Sequence, residues 1–158
     1  MNKLHINWEK LSVLPDSINI TFEKFCFHIV SLMMEEYGTL SYFYNTPGSE
    51  FYVELNKPWE YEGIQYSIGD IIGWQVKYWS GKKDEANSPL DSKHKKELLE
   101  GFEKTNKYRP QIRLWIICTP GSFVQRAWDA MLEQLQSINS NCKIISWHKD
   151  IFEGMYIK

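Results

Sequence analysis

Ile112 to Pro120, IRLWIICTP, is a short apolar run rich in Ile and bounded by proline at both sides. A run this short, rich in Ile and closed by proline, reads as a central strand buried on both faces. Such a strand needs cover above and below its sheet, which restricts the chain to α/β layering. The rest of the sequence supplies the layers. From Ile18 to Tyr37 apolar residues recur at helical spacing. Phe22, Phe25, Cys26, Ile29, Leu32 and Met33 make one stripe, and Gly38 follows in a position that commonly ends a helix. Aromatic, alternating segments come next: TLSYFYN, EFYVELN, WEYEGIQYSI and IIGWQVKYW, separated by the turn signals TPGS, KP and GD. They read as three or four antiparallel strands. Ser80 to Pro89 reads as a polar loop and Leu90 to Asn106 as a helix with a Lys-rich start. A further helix begins at Ser122, with Val124, Ala127, Trp128, Met131 and Leu135 on one stripe, and CKIISW is a last strand. The expected architecture is an α/β sandwich with a mixed sheet of about five strands flanked by helices.

Size and composition narrow the function classes. A chain of 158 residues and 18.8 kDa is long enough for one domain with a proper core. We expect a single domain over 1–158: a lead-in at 1–17, a core at 18–146, and a tail at 147–158 that links to any further domain. No apolar run approaches a membrane span, and MNKLHINWEK lacks the apolar centre of a signal peptide. Cys26, Cys118 and Cys142 form no close pair, so the expectation is a reduced, cytoplasmic protein without a disulfide framework or zinc knuckle. His5, His28, His94 and His148 show no metal-ligand spacing, and no phosphate-binding loop of the GxxxxGK[ST] type occurs. The aromatic share of 15% points to stacking surfaces or an aromatic core. Net charge is −2, but unevenly spread. Residues 1–70 hold four lysines against ten acids, and residues 71–158 hold fourteen basic residues against ten acids. Charge alone favours a solvated surface over a phosphate-binding one.

One strand carries the chemistry. In GDIIGWQVKYW, Trp74, Val76 and Tyr78 share one face, and Gln75, Lys77 and Trp79 share the other. An amide and an ammonium on so apolar a strand look either at water or into a site. In FYVEL, Tyr52 and Glu54 share a face, and Glu54 projects beside Gln75 and Lys77 if both strands lie in one sheet. Glu23 falls about 80° from the centre of the first helix's stripe, at the edge of its buried side. Two carboxylates, an amide and an ammonium around one point are equipment for metal-assisted phosphodiester hydrolysis. Carboxylate and amide oxygens suit Mg²⁺, with Mn²⁺ as substitute; the metal activates a bound water, and the lysine orients it.

With these residues in view, GWQVKYW after an acidic strand and a helix opening FEKF resembles the PD-(D/E)xK restriction-endonuclease-like superfamily. The likeness is nearest to its Mrr-like branch with a QxK motif, as in the N-terminal nuclease domains of bacterial antiviral NTPases of the STAND type. It covers about Phe22 to Thr119. The resemblance implies a restriction-endonuclease-like three-layer sandwich and Mg²⁺-dependent cleavage of DNA by a defence effector. It also implies a fused or associated NTPase or sensor module, and a dimer or higher assembly when active. It assigns Gln75 and Lys77 to the second half of the motif and Glu23 to the helix glutamate. For the first acid, Glu54 is preferred, ahead of Asp70 and Glu50. The long interval between Glu54 and Gln75 is expected to hold an inserted hairpin around WEYEGIQY. Two other expectations stay beside the endonuclease: a catalytically inactive DNA-binding module of the same fold, and an aromatic-rich protein-interaction domain.

Overall fold

The computed structural model describes residues 2–14, 17–43, 50–79, 92–121 and 123–157. The TPGS turn, the Ser80–Pro89 loop with Lys82 and Lys83, the side chain of Lys93 and the start of a helix at Ser122 lie outside the described residues. The chain opens with β1 (Asn2–Lys3) and a short α1 (Trp8–Ser12), then the long α2 (Ile18–Met34). Strands β2 (Leu40–Tyr42), β3 (Glu50–Glu54), β4 (Trp59–Tyr61), β5 (Ile64–Tyr66) and β6 (Ile71–Val76) follow. The remainder alternates: α3 (Ser92–Tyr108), β7 (Ile112–Cys118), α4 (Gln125–Ile138), β8 (Lys143–Trp147), α5 (Lys149–Glu153) and β9 (Tyr156–Ile157).

Five strands form the central sheet in the order β2-β3-β6-β7-β8. The first three are antiparallel to one another, and β6, β7 and β8 are parallel, each joined to the next through a helix. Period-two alternation sends the side chains of β7 both ways. Leu114, Ile116 and Cys118 meet α2 on one face, while Trp115 and Ile117 meet α3 and α4 on the other. The result is an α/β fold of three layers, with a mixed sheet flanked by helices on both sides. None of the described helices is long and apolar enough to cross a membrane.

The helices pack through apolar stripes that match the predicted ones only in part: Leu32 on α2 and Val124 before α4 are exposed, and Val30 and Met34 are buried instead. On α2, Phe22, Cys26, Ile29, Val30 and Met34 are buried, and the Ser17 hydroxyl caps its first turn by accepting from the Ile20 amide at 3.4 Å. The helix ends earlier than Tyr37, at Met34, whose carbonyl accepts from the Gly38 amide at 3.1 Å; Gly38 also meets a second need. A Cβ there would lie 2.6 Å from the Glu54 carbonyl oxygen, so only glycine lets the chain pass the end of β3. The hairpin expected around WEYEGIQY is present as β4 and β5. Its two connecting residues both have positive φ, Glu62 at 49° and Gly63 at 78°, the pattern of a type I′ turn. It docks on the α2 side of the sheet through Trp59 and Tyr66. Tyr61 seals it there: its hydroxyl accepts a hydrogen bond from Trp147 Nε1 at 2.9 Å.

The aromatic wealth is spent mainly on these contacts. Trp74, Trp115 and Trp147 are fully buried, and Trp8 brings α1 against Phe22, Phe25 and Phe152. The lead-in and the tail, which gave no clear sequence signal, meet as the antiparallel pair β1 and β9.

Candidate binding cleft

The two faces of β6 divide as period two requires. Trp74, Val76 and Tyr78 enter the core beneath α2, and Trp79 packs with the cluster beneath α3. The polar face does not look at water. Gln75 is 1% exposed, and α3 lies across it. The underside of α3 presents Glu97, Gly101 and Thr105, spaced i, i+4 and i+8, so all three share one helix face. Each meets one member of the sheet's polar row. Glu97 lies 3.9 Å from the Lys77 ammonium. Gly101 offers the gap for Gln75: a Cβ there would stand 3.2 Å from Gln75 Oε1 and 3.6 Å from Glu50 Oε1. Thr105 donates its hydroxyl hydrogen bond to Glu50 Oε2 at 3.3 Å. The row that the sequence presents as a site is therefore largely the seat of a helix. Gln75 Oε1 is left buried without a hydrogen-bond partner.

Of the four residues expected to converge, Glu54 is set apart, and Glu50, the last-ranked candidate for the first acid, stands beside Gln75 instead. Glu50 is the register partner of Gln75, whereas Glu54 pairs with Ile71. Four residues of strand separate Glu54 from Gln75 along the sheet, about 13 Å at roughly 3.3 Å per residue, and Glu54 is exposed. Asp70 sits before β6, at the end away from Lys77; its Oδ2 accepts from the Ser67 amide at 2.8 Å and so shapes the turn. Glu23 stands on α2, on the other side of the sheet, and reaches only the Lys77 end of the row. Among the described residues no group of three or more His, Cys, Asp or Glu could hold a metal ion. The expected Mg²⁺ or Mn²⁺ centre is thereby overturned, and with it the metal-dependent DNA endonuclease, a hydrolase. The physical reason is antiparallel pairing plus helix cover: the pairing puts Glu54 and Asp70 at the wrong end of β6, and α3 closes over Gln75.

Among the described residues, a cleft lies at the carboxyl end of β6. Crevices outside the carboxyl ends of strands are where open α/β sheets commonly bind ligands, and here helices from both faces form the walls. The cleft has a volume of about 390 Å³. Asn19 and Glu23 of α2 line one side, His94 and Glu97 of α3 the other, and Lys77 and Trp79 the floor. The His94 imidazole lies over the Trp79 indole, ring centres 4.2 Å apart, and Phe123 approaches the same indole edge-on at 6.5 Å. On the opposite wall Tyr78 meets Phe22 edge-on at 5.6 Å. These ring contacts give the cleft aromatic walls.

Among the described residues it is lined by two carboxylates, Glu23 and Glu97, and one ammonium, Lys77. Burial pushes the Glu23 carboxyl above the ordinary glutamate value, and the nearby Lys77 ammonium pulls it back only in part. Deeper in the α2 layer, burial drives the Cys26 thiol well above the usual range, and its hydrogen bond to Cys118 adds to this. Both thiols are fully buried, as their places on the core stripe and the central strand suggest. Glu97 and His94 carry no motif in the sequence. The signal for Glu97 is its place one helical turn ahead of Gly101 on α3. No family model and no curated protein matches the chain.

Proposed function

We propose that this chain is a non-catalytic interaction module on a restriction-endonuclease-like sandwich, and that it docks a partner protein in the cleft at the carboxyl end of β6. The single observation that carries this is the cleft itself, which among the described residues is walled by aromatic rings and lined by the Glu23, Lys77 and Glu97 side chains rather than by a metal-holding set. The GWQVKYW resemblance and the mixed five-stranded sheet support the scaffold. Indole and phenol walls with a few convergent polar groups suit the capture of a side chain from another protein.

DNA fits this cleft less well. Among the described residues that line it, carboxylates outnumber the ammonium, so a phosphate would meet net repulsion from these groups. Basic residues elsewhere on α3 and beyond are partly engaged: Lys96 pairs with Glu100 at 3.9 Å, and Arg109 donates to the Tyr52 hydroxyl at 3.1 Å. Selection of a phage-displayed random peptide library on the immobilised chain tests the proposal. Enriched peptides should bind in the cleft and be lost with Trp79→Ala or Glu97→Lys. No enrichment over an unfolded control, or binders indifferent to both substitutions, would refute it. Duplex DNA bound with steep salt dependence would favour the nucleic-acid alternative.

A further inference from the structure

Resting on the module reading, we infer that the cleft takes a cation: a lysine or arginine side chain of the partner, held between the Glu23 and Glu97 carboxylates beside Trp79. Three observations converge. First, Glu23 and Glu97 face the same cleft from opposite walls, on α2 and α3, so they straddle a guest instead of forming a patch on one surface. Second, among the described residues the resident ammonium does not neutralise them. Lys77 lies 3.9 Å from Glu97, an ion pair too long for a hydrogen bond, and of the described side chains that line the cleft one ammonium faces two carboxylates. Third, burial raises the cost of keeping Glu23 ionised, and a second cation would relieve what Lys77 relieves only in part. The indole and imidazole beside them are weakly hydrated walls, suited to the planar guanidinium or the methylene stem of a lysine.

The role of Lys77 gives the inference a sign. In a nuclease-like or anion-binding site Lys77 would attract the ligand, and its removal would abolish binding. In a cation site Lys77 competes with the ligand, and its removal should improve binding.

The test is a titration of the full chain with N-acetyl-arginine amide and N-acetyl-lysine amide at constant ionic strength. Sodium acetate and inorganic phosphate serve as anionic comparisons. The readout is the Trp79 indole N–H resonance, assigned by its loss in Trp79→Phe. A saturable shift at millimolar concentration is expected for the two cations and not for the anions. Lys77→Ala should tighten cation binding about threefold or more, the order expected for removing one nearby charge in a solvent-accessible site. Glu23→Gln and Glu97→Gln should each weaken it, and a dispersed amide spectrum confirms that each variant is folded. No saturable shift from either cation, a stronger response to acetate or phosphate, or loss of binding in folded Lys77→Ala would overturn the inference. Peptides selected in the cleft that dock through an acidic residue would overturn the cation while leaving the module in place. Cation binding without any selectable peptide would support the cleft chemistry and remove the module.

Discussion

Replacing Gln75 with Met should make the protein more stable. Gln75 is 1% exposed, and its Oε1 has no hydrogen-bond partner. An unsatisfied buried polar atom costs about 1–3 kcal/mol of desolvation that nothing returns. Met matches the unbranched shape of Gln, fills the same space beneath Gly101, and removes the orphaned oxygen. Its flexible thioether should adapt with less than about 1 kcal/mol of packing loss. The net gain is therefore on the order of 1–2 kcal/mol. For a domain of this size each kcal/mol moves the melting temperature by about 2–4 °C, so Tm should rise by about 2–8 °C. Urea unfolding gives the free energy directly, and an unchanged m value would show that only the native state was altered. A loss of more than about 1 kcal/mol would refute the reasoning, since it would mean that the amide is held by bonds worth more than its orphaned oxygen costs.

Other substitutions probe other parts of the structure. Tyr61→Phe deletes the acceptor of Trp147 Nε1, which lies in a nearly fully buried indole; it should cost about 1–3 kcal/mol by urea unfolding and free the β4–β5 hairpin to exchange amide protons faster. Gly38→Ala sets a Cβ 2.6 Å from the Glu54 carbonyl oxygen, and should lose at least about 1–3 kcal/mol in the same assay. Glu23→Gln has a pH signature. A carboxyl raised in the folded state is protonated more readily there than in the unfolded chain, so stability falls as pH rises from about 4 through the raised value. Glu23→Gln should therefore be more stable than the parent at neutral pH, with the advantage fading below about pH 4; an equal Tm difference at both ends would contradict it.

Much of the fold was legible because period is a local property. The six apolar residues of β7 declare their burial within a single window, as do Phe22, Cys26 and Ile29 of the α2 stripe and the two-faced pattern of β6. The cleft was only half legible. Lys77 and Glu23 do approach one another, but the acid across from Gln75 is Glu50 and not Glu54. Antiparallel pairing contains that answer: a residue near the end of β6 must face one near the start of β3, whatever hairpin intervenes. Face alternation alone cannot supply it, since Glu50 and Glu54 share a face. The cover over Gln75 was not legible at all. A helix as charged as α3 reads as a solvated element, and only its assembled position reveals that Glu97, Gly101 and Thr105 match a polar row on the sheet. Local pattern fixes which way a side chain points; it does not tell what lies above it.

The division of that row between a seated helix and an open cleft, with no metal chemistry between them, has a direct test. Supercoiled plasmid is incubated with the purified chain in magnesium, then in manganese, and nicking is followed on a gel beside Lys77→Ala. Plasmid left intact by both proteins is the expected result. Metal-dependent nicking by the parent chain that disappears in folded Lys77→Ala would contradict it.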